Sequence, residues 1–336
     1  MSKEIKMKDI ADKLGISIVA VSKALSGKPG VSEKLRTKVR RTAEEMGYHY
    51  DPAAKHKIER SSNIAVLVAE RYMNEDSFYF KFFRHITKIL QVSDQYAFFH
   101  TISKSEEQKV SLPEVIFRQR VDGIIVLGQV SDEYISAVMK TKIPTVFLDF
   151  YNEQVYTDCI IFDSFYASYE MTNYLIKNGH RNIAFVGNIH ATSSIQDRYL
   201  GYAKSLIEHN IPVSSGYVLS DRDLETGKWI PIEMPVVMPT AFVCNCDEIA
   251  YLLINQLKNM GYKIPEDISV TGFDNSIYSE LSDPGITTIE VNAAYMAELA
   301  VEGLLQKIKK SSFSMGMVHV NGNIIFKNSV RSLNYN

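Results

Sequence analysis

Apolar positions recur at helical spacing over the first fifty residues, then give way to short apolar runs separated by amphipathic stretches. Ile10, Ala11 and Leu14 make one face of a short helix, which Gly15 breaks. Ser17 is placed to cap a second helix that buries Val21, Ala24 and Leu25. "SGKPG" reads as a turn-rich loop. Ser32 then caps a longer helix with buried positions at Leu35, Val39, Ala43 and Met46, and Gly47 stands where it should end. The stretch "YHYDPAAKHKIERSSN" is polar and basic apart from Ile58, so it reads as a linker that orders only against a partner.

From Asn63 onward the runs "NIAVLVA", "GIIVLG", "PTVFLD", "NIAFVG", "TAFVC" and "ISVTGF" are short and rich in β-branched residues. Helical stretches such as "ASYEMTNYLIKNG" and "EIAYLLINQLKNMG" lie between them, each closed by a glycine. This alternation predicts parallel sheets with crossover helices, and two stacked α/β lobes with a cleft between them. Ligands in such folds lie outside the carboxyl ends of the strands, so the residues just after each run are the ones to inspect.

Length and charge sharpen this picture. A chain of 336 residues holds two or three units, and 46% apolar with 23% charged residues is ordinary globular composition. The net charge of −2 conceals an asymmetry: residues 1–60 carry 14 Lys and Arg against 8 Asp and Glu, while the remainder carries 23 against 31. A basic head on an acidic body predicts that the head meets a polyanion. The charged start "MSKEIKMKDIADK" lacks a secretory h-region, and no run reaches the roughly eighteen apolar residues of a membrane span. Three cysteines, Cys159, Cys244 and Cys246, do not make a disulfide framework. These features predict a cytoplasmic protein.

A glycine turn between two small-residue-packed helices, followed by the basic "EKLRTKVRR", predicts a helix-turn-helix that sets its second helix into a major groove. Catalysis has no visible constellation: G-x-x-x-x-G-K-[ST], G-x-S-x-G and H-E-x-x-H are all missing from the sequence. Cys244-x-Cys246 has no paired His/Cys motif and reads as strand thiols rather than a metal site. No cofactor is implied.

The pieces "KDIADKLGIS", "VSKALSG", "VSEKLRTKV" and "EEMGY", with Asp51-Pro52, resemble the N-terminal signature of the LacI/GalR (lactose-repressor) family of bacterial transcription regulators. The body continues the resemblance in order, through "FDSFYASYEMTNYLIKNGHRNIAFVG", "DRYLGY", "PTAFVCNCDEIA", "ISVTGFDN" and "DPGITTI". It implies an all-α helix-turn-helix head over residues 1–49, a hinge over 50–62, and a two-lobed, periplasmic-binding-protein-like α/β body with parallel sheets over 63–336. It also implies a homodimer on palindromic operator DNA, responding to a small effector, most often a sugar.

Carried over residue by residue, Ile18, Val19, Ser22 and Lys23 face the bases and Ser17 caps the helix against a phosphate. The family commonly has Thr at Ala20 and Arg at Lys23, and lysine lacks the bidentate fork that reads a guanine edge. Ile18 and Val19 offer apolar contact, most naturally to thymine methyl groups. In the hinge, Lys55, Lys57 and Ile58 approach DNA, but Lys57 stands where the family has a minor-groove leucine wedge. Either Ile58 takes that place or the hinge bends DNA less, and the sequence leaves both open.

For the effector, Phe78 and Tyr79 align with an aromatic wall, and Asp149, Arg198 and Asp274 align with polar groups that hold a sugar's hydroxyls. Cys246 stands where some sugar-binding members have an asparagine, which implies an altered contact. Asp247 is expected to cap the following helix, and Trp229 either stacks on a sugar or packs in the core. The expected function is an effector-controlled repressor of carbohydrate genes. The alternative is a cytoplasmic sugar-binding protein or a small-metabolite enzyme on the same fold.

Overall fold

The computed structural model describes residues 7–27, 29–46, 48, 63–73, 78–92, 95–118, 120–223 and 227–333. Gly47 and the expected hinge with Lys55, Lys57 and Ile58 lie outside the described residues. The chain divides into two compact units, Met1–Ser61 and Ser62–Asn336.

Helices α1 (Met7–Leu14), α2 (Ile18–Leu25) and α3 (Glu33–Glu45) build the first unit. They close around Ile10, Ala11, Val21, Ala24, Leu25, Val39 and Ala43. Leu35 and Met46, expected inside, are half-buried at the edge, and Thr42 is buried in their place. The contact stripe of α3 runs through Val39, Thr42 and Ala43, an i, i+3, i+4 set, and passes between the two expected end positions. The turn between α1 and α2 rests on Gly15 at φ +64, a left-handed conformation open to glycine and strained for other residues.

The second unit contains strands β1 (Asn63–Ala69), β2 (Tyr96–Ile102), β3 (Gly123–Leu127), β4 (Thr145–Leu148), β5 (Asp158–Phe162), β6 (Ile183–Val186), β7 (Val218–Leu219), β8 (Ala241–Cys244), β9 (Ser269–Thr271), β10 (Thr288–Glu290), β11 (Met317–Val320) and β12 (Asn323–Ile325). One sheet has the order β11-β5-β4-β3-β1-β2, and the other β7-β6-β8-β9. Every pairing within them is parallel. A short antiparallel pair, β10 with β12, adjoins the second sheet, where Thr287 bridges Thr271 of β9.

Both sheets are covered on two faces, which explains their near-continuous apolar runs. In β1, Ile64, Val66 and Val68 pack with Phe82, Ile86 and Leu90 of the helix Phe78–Val92 and with Met296, Ala300 and Leu304 of the helix Ala293–Lys309. Ala65, Leu67 and Ala69 point the other way, onto Tyr134, Ile135 and Val138 of the helix Asp132–Lys140. In the second lobe, Phe242 and Val270 meet Leu253 and Leu257, while Phe185 and Val243 meet Leu175, Tyr202 and Leu206.

The lobes are not consecutive in sequence. The chain leaves the first after β5, where Asp163 caps the helix Ser164–Lys177 by accepting from the Tyr166 amide at 2.9 Å. It returns after β10 to contribute the helix Ala293–Lys309 and β11, then crosses again into β12 and the tail. The carboxyl ends of both sheets therefore border the crossings. Among the described residues, no helix is long and apolar enough to cross a membrane.

Candidate functional site

In the head, the N-cap of α2 is Ser17, whose hydroxyl accepts the Ala20 amide at 3.2 Å. Val21, Ala24 and Leu25 anchor one side of α2. The opposite side presents Ile18 at 48% and Val19 at 63% exposure, together with exposed Ser17 and Lys23. Ser22 is half-buried between these faces. Two β-branched residues held open to solvent at a helix start lie outside the core.

One basic residue of α3 is drawn in from its solvent face. Arg36 turns inward, donating to the carbonyls of Lys23 at 3.4 Å and Ala24 at 3.5 Å, and pairs with Glu33 at 2.9 Å. A guanidinium on the terminal carbonyls of α2 is favourable for the helix dipole and ties α2 to α3. Lys34, Lys38 and Arg40 remain exposed.

In the body, Tyr79, Asp149, Arg198, Cys246 and Asp274 come together by the carboxyl ends of the strands. The Tyr79 hydroxyl donates to Asp149 Oδ2 at 2.9 Å. Asp149 follows β4 at φ +66, and its amide donates to Ile160 O, so the backbone at the strand end turns its carboxyl out of the sheet. Asp274 follows β9 in the same manner, at φ +96. Arg198 is buried on the helix Ser193–Glu208, its guanidinium 3.8 Å from the Phe273 ring centroid and its Nη1 donating to Asn245 O. Its Nη2 stands 3.6 Å from Asp274 Oδ1, beyond hydrogen-bond length. Arg198 Nε and Asp274 Oδ1 are both buried without a hydrogen-bond partner, a donor and an acceptor open to a third group.

Burial dominates the electrostatics here. It pushes the Asp149 carboxyl up to about 6 against the opposing hydrogen bond from Tyr79 and the charge of Arg198. It raises Asp274 as well, again opposed by Arg198. The Cys246 thiol is raised by burial and by Asp274, so it stays protonated and acts as a small polar surface. Phe78 is half-buried, its ring edge-on to Tyr79 at 5.5 Å and to Phe82 at 5.2 Å, so it braces Tyr79 from the core side.

Three features escape the sequence. Asp247 is the first residue of the helix Asp247–Asn259, and the N-cap is Cys246, which makes no side-chain cap bond. The Asp247 carboxyl instead accepts from Thr288 Oγ1 at 2.5 Å and the Ser276 amide at 2.6 Å, across the loop that carries Asp274. A Cβ on Gly272 would lie 2.2 Å from Asp247 Oδ1, so this tie requires the glycine of "VTGFD". The expectation that Asp247 caps its helix is therefore corrected: the side chain has a longer reach and a better-buried pair of donors.

Trp229 donates its Nε1 to Glu248 at 3.0 Å, and the Arg222 guanidinium lies 4.3 Å from its ring centroid. Arg222 is the third feature. It is bound bidentately to fully buried Asp221, with Nη2–Oδ2 at 2.7 Å, and donates to Asn245 Oδ1 at 3.1 Å. It shares Asn245 with Arg198, which donates to that residue's backbone carbonyl, so the two guanidiniums border one place.

The family described as "Bacterial regulatory proteins, lacI family" matches residues 6–51, and that described as "Periplasmic binding protein-like domain" matches residues 172–330. An HTH-type transcriptional repressor PurR from Vibrio campbellii is 27% identical over 334 residues, 98% of this chain and 99% of that protein. Among solved structures, the Lac repressor dimer bound to operator and the anti-inducer ONPF is similar with a TM-score of 0.69 and 21% identity, covering 98% of this chain and 100% of that one. A CelR–cellobiose complex, a transcriptional regulator, is similar with a TM-score of 0.69 and 18% identity, covering 97% and 100%. A reading head at one end and a two-lobed ligand-binding body define the class, an effector-controlled DNA-binding regulator. The chain belongs to the LacI/GalR family of bacterial regulators.

Proposed function

We propose that the protein is a cytoplasmic, homodimeric repressor of carbohydrate genes whose operator affinity is set by a sugar in the cleft, and that it works by binding alone rather than as an enzyme. Ser17, Ile18, Val19, Ser22 and Lys23 read the operator, with Lys55, Lys57 and Ile58 contacting it from the hinge. Phe78, Tyr79, Asp149, Arg198, Cys246 and Asp274 form the effector site. The observation that carries the sugar reading is the meeting of two carboxyls, a phenol and a guanidinium: Tyr79 donates to Asp149 at 2.9 Å, and Arg198 Nη2 lies 3.6 Å from Asp274 Oδ1. Vicinal hydroxyls supply both donors and acceptors to such a set. Cellobiose in the CelR complex supports the same class of ligand.

The test is a gel shift of the promoters of neighbouring genes at moderate salt, with and without a panel of sugars. A specific shift that one sugar strengthens or releases is expected; no specific shift under any condition overturns the regulator. Arg198→Ala and Asp274→Ala should each abolish the sugar response while operator binding without effector persists, and a normal response in both moves the site elsewhere.

A further inference from the structure

The cleft borders carry more ionisable groups than a neutral ligand needs, and their pairing decides what charge a ligand can bring. Among the described residues, the cations are Arg198, Arg222 and Lys81, the last donating to Asn275 O at 3.4 Å and acting on Asp274. The carboxyl groups are Asp149, Asp221, Asp247 and Asp274. The two guanidiniums are each engaged, Arg198 with a backbone carbonyl, an aromatic face and, at 3.6 Å, the Asp274 carboxylate, Arg222 with the Asp221 carboxylate.

Asp221 is the decisive group. It is fully buried and accepts from the Asn188 amide at 2.8 Å, from Asn245 Nδ2 at 2.8 Å and from Arg222 through Nε and Nη2. Both oxygens are spent, so the carboxyl cannot turn away from Arg222. A guanidinium locked against such a partner offers N–H donors in fixed directions, with its charge already cancelled. Trp229 closes one face of the same guanidinium.

We propose that the effector is an uncharged sugar and that Asp221 is the specificity-determining residue that excludes sugar acids and sugar phosphates, by cancelling the charge of Arg222 at the cleft wall. The inference rests on the sugar reading above. A carboxylate or phosphate brought into the site meets Asp149 and Asp274, and both guanidiniums there already face a carboxylate of the chain, Arg198 that of Asp274 and Arg222 that of Asp221; like charges brought together in a desolvated site oppose binding. The upward shifts of Asp149 and Asp274 are in line with a cleft that already disfavours negative charge.

The experiment uses the full chain and measures binding by calorimetry and thermal shift. Its probes are ribose, glucose, galactose and cellobiose as neutral sugars; glucuronate, galacturonate and glucose 6-phosphate as anions; and hypoxanthine as a non-sugar control. Saturable binding of a neutral sugar is expected, with any anion bound at least about tenfold more weakly. Asp221→Asn, which uncovers the charge of Arg222, should shift the ratio of anion to neutral affinity toward the anion by about tenfold or more. Should Asp221→Asn fail to fold, the native panel decides by itself. An anion preferred by the native chain overturns the inference and leaves a sugar effector standing. Binding of hypoxanthine alone, or of no probe, overturns the sugar reading and the inference with it. An Asp221→Asn chain that folds and keeps the native ratio removes Asp221 from the selection.

Discussion

The carboxyl of Asp247 spends both oxygens on other parts of its lobe, Thr288 and the Ser276 amide, and so holds the loop from which Asp274 enters the cleft. Burial and the charge of Asp274 push it up to about 7 from an ordinary 3.8. The folded state therefore keeps a proton over a window in which the unfolded chain has lost it, and this group's contribution to stability falls as pH rises from about 4 to about 7. Asp149, up to about 6, acts in the same direction over a narrower window. His180, whose pKa burial lowers from 6.5, acts oppositely, its contribution rising with pH below that value. Subtracting the stability profile of Asp247→Asn from that of the native body isolates the one group. The difference should decline across the window by at most about 1.4 kcal/mol per pH unit, measured by denaturant unfolding. A flat difference would show that Asp247 titrates normally. This tie is not legible in sequence, because it joins residues whose meeting depends on how two loops fold back on one sheet end; Asp221 and Arg222 are sequence neighbours, and what the sequence hides is their burial against Asn188 and Asn245. Asp149, Arg198 and Asp274 were legible as positions because strand ends and matched motifs mark them.

Helix α2 shows how an element can be secure on one side and informative on the other. Ser17→Ala removes the cap bond to Ala20 and should cost the head about 1 kcal/mol, read from thermal melts. Ile18→Thr and Val19→Thr change residues that are largely exposed, so melting should move by no more than about 0.5 kcal/mol. Their effect belongs to DNA: replacing operator thymines by uracil should weaken the native protein and leave the double variant nearly indifferent. If uracil operators bind the native protein as well as thymine ones, the apolar pair reads something other than methyl groups. The same division between visible and hidden runs through the strands. β1, β3, β4, β6, β8 and β9 stand out as apolar runs because helices cover both their faces. β2 lies at a sheet edge, with Tyr96 and Phe98 exposed, and its run "YAFFHTI" carries no clean period. β5 opens with Asp158, a buried carboxylate tied to Lys307, Ser314 and the Gly316 amide, a polar start that hides a core strand.

On the scale of the whole body, the first lobe is assembled from two distant stretches of chain. The helix Ala293–Lys309 supplies Met296, Ala300 and Leu304 to the same core as β1 and β3, and β11 completes the sheet beside β5. Breaking either stretch exposes the other's apolar face, so the body should unfold in one calorimetric transition, with effector raising its midpoint. Two separated transitions would mean that the lobes are stable apart. Interleaving also imposes an order on biosynthesis. The three helices of the head close their own core within the first fifty residues, whereas the sensor waits for β11, near residue 320, before its first sheet is whole. At about 5–20 residues per second the ribosome separates these events by roughly 14 to 55 seconds. A newly made regulator thus possesses its address before it can listen.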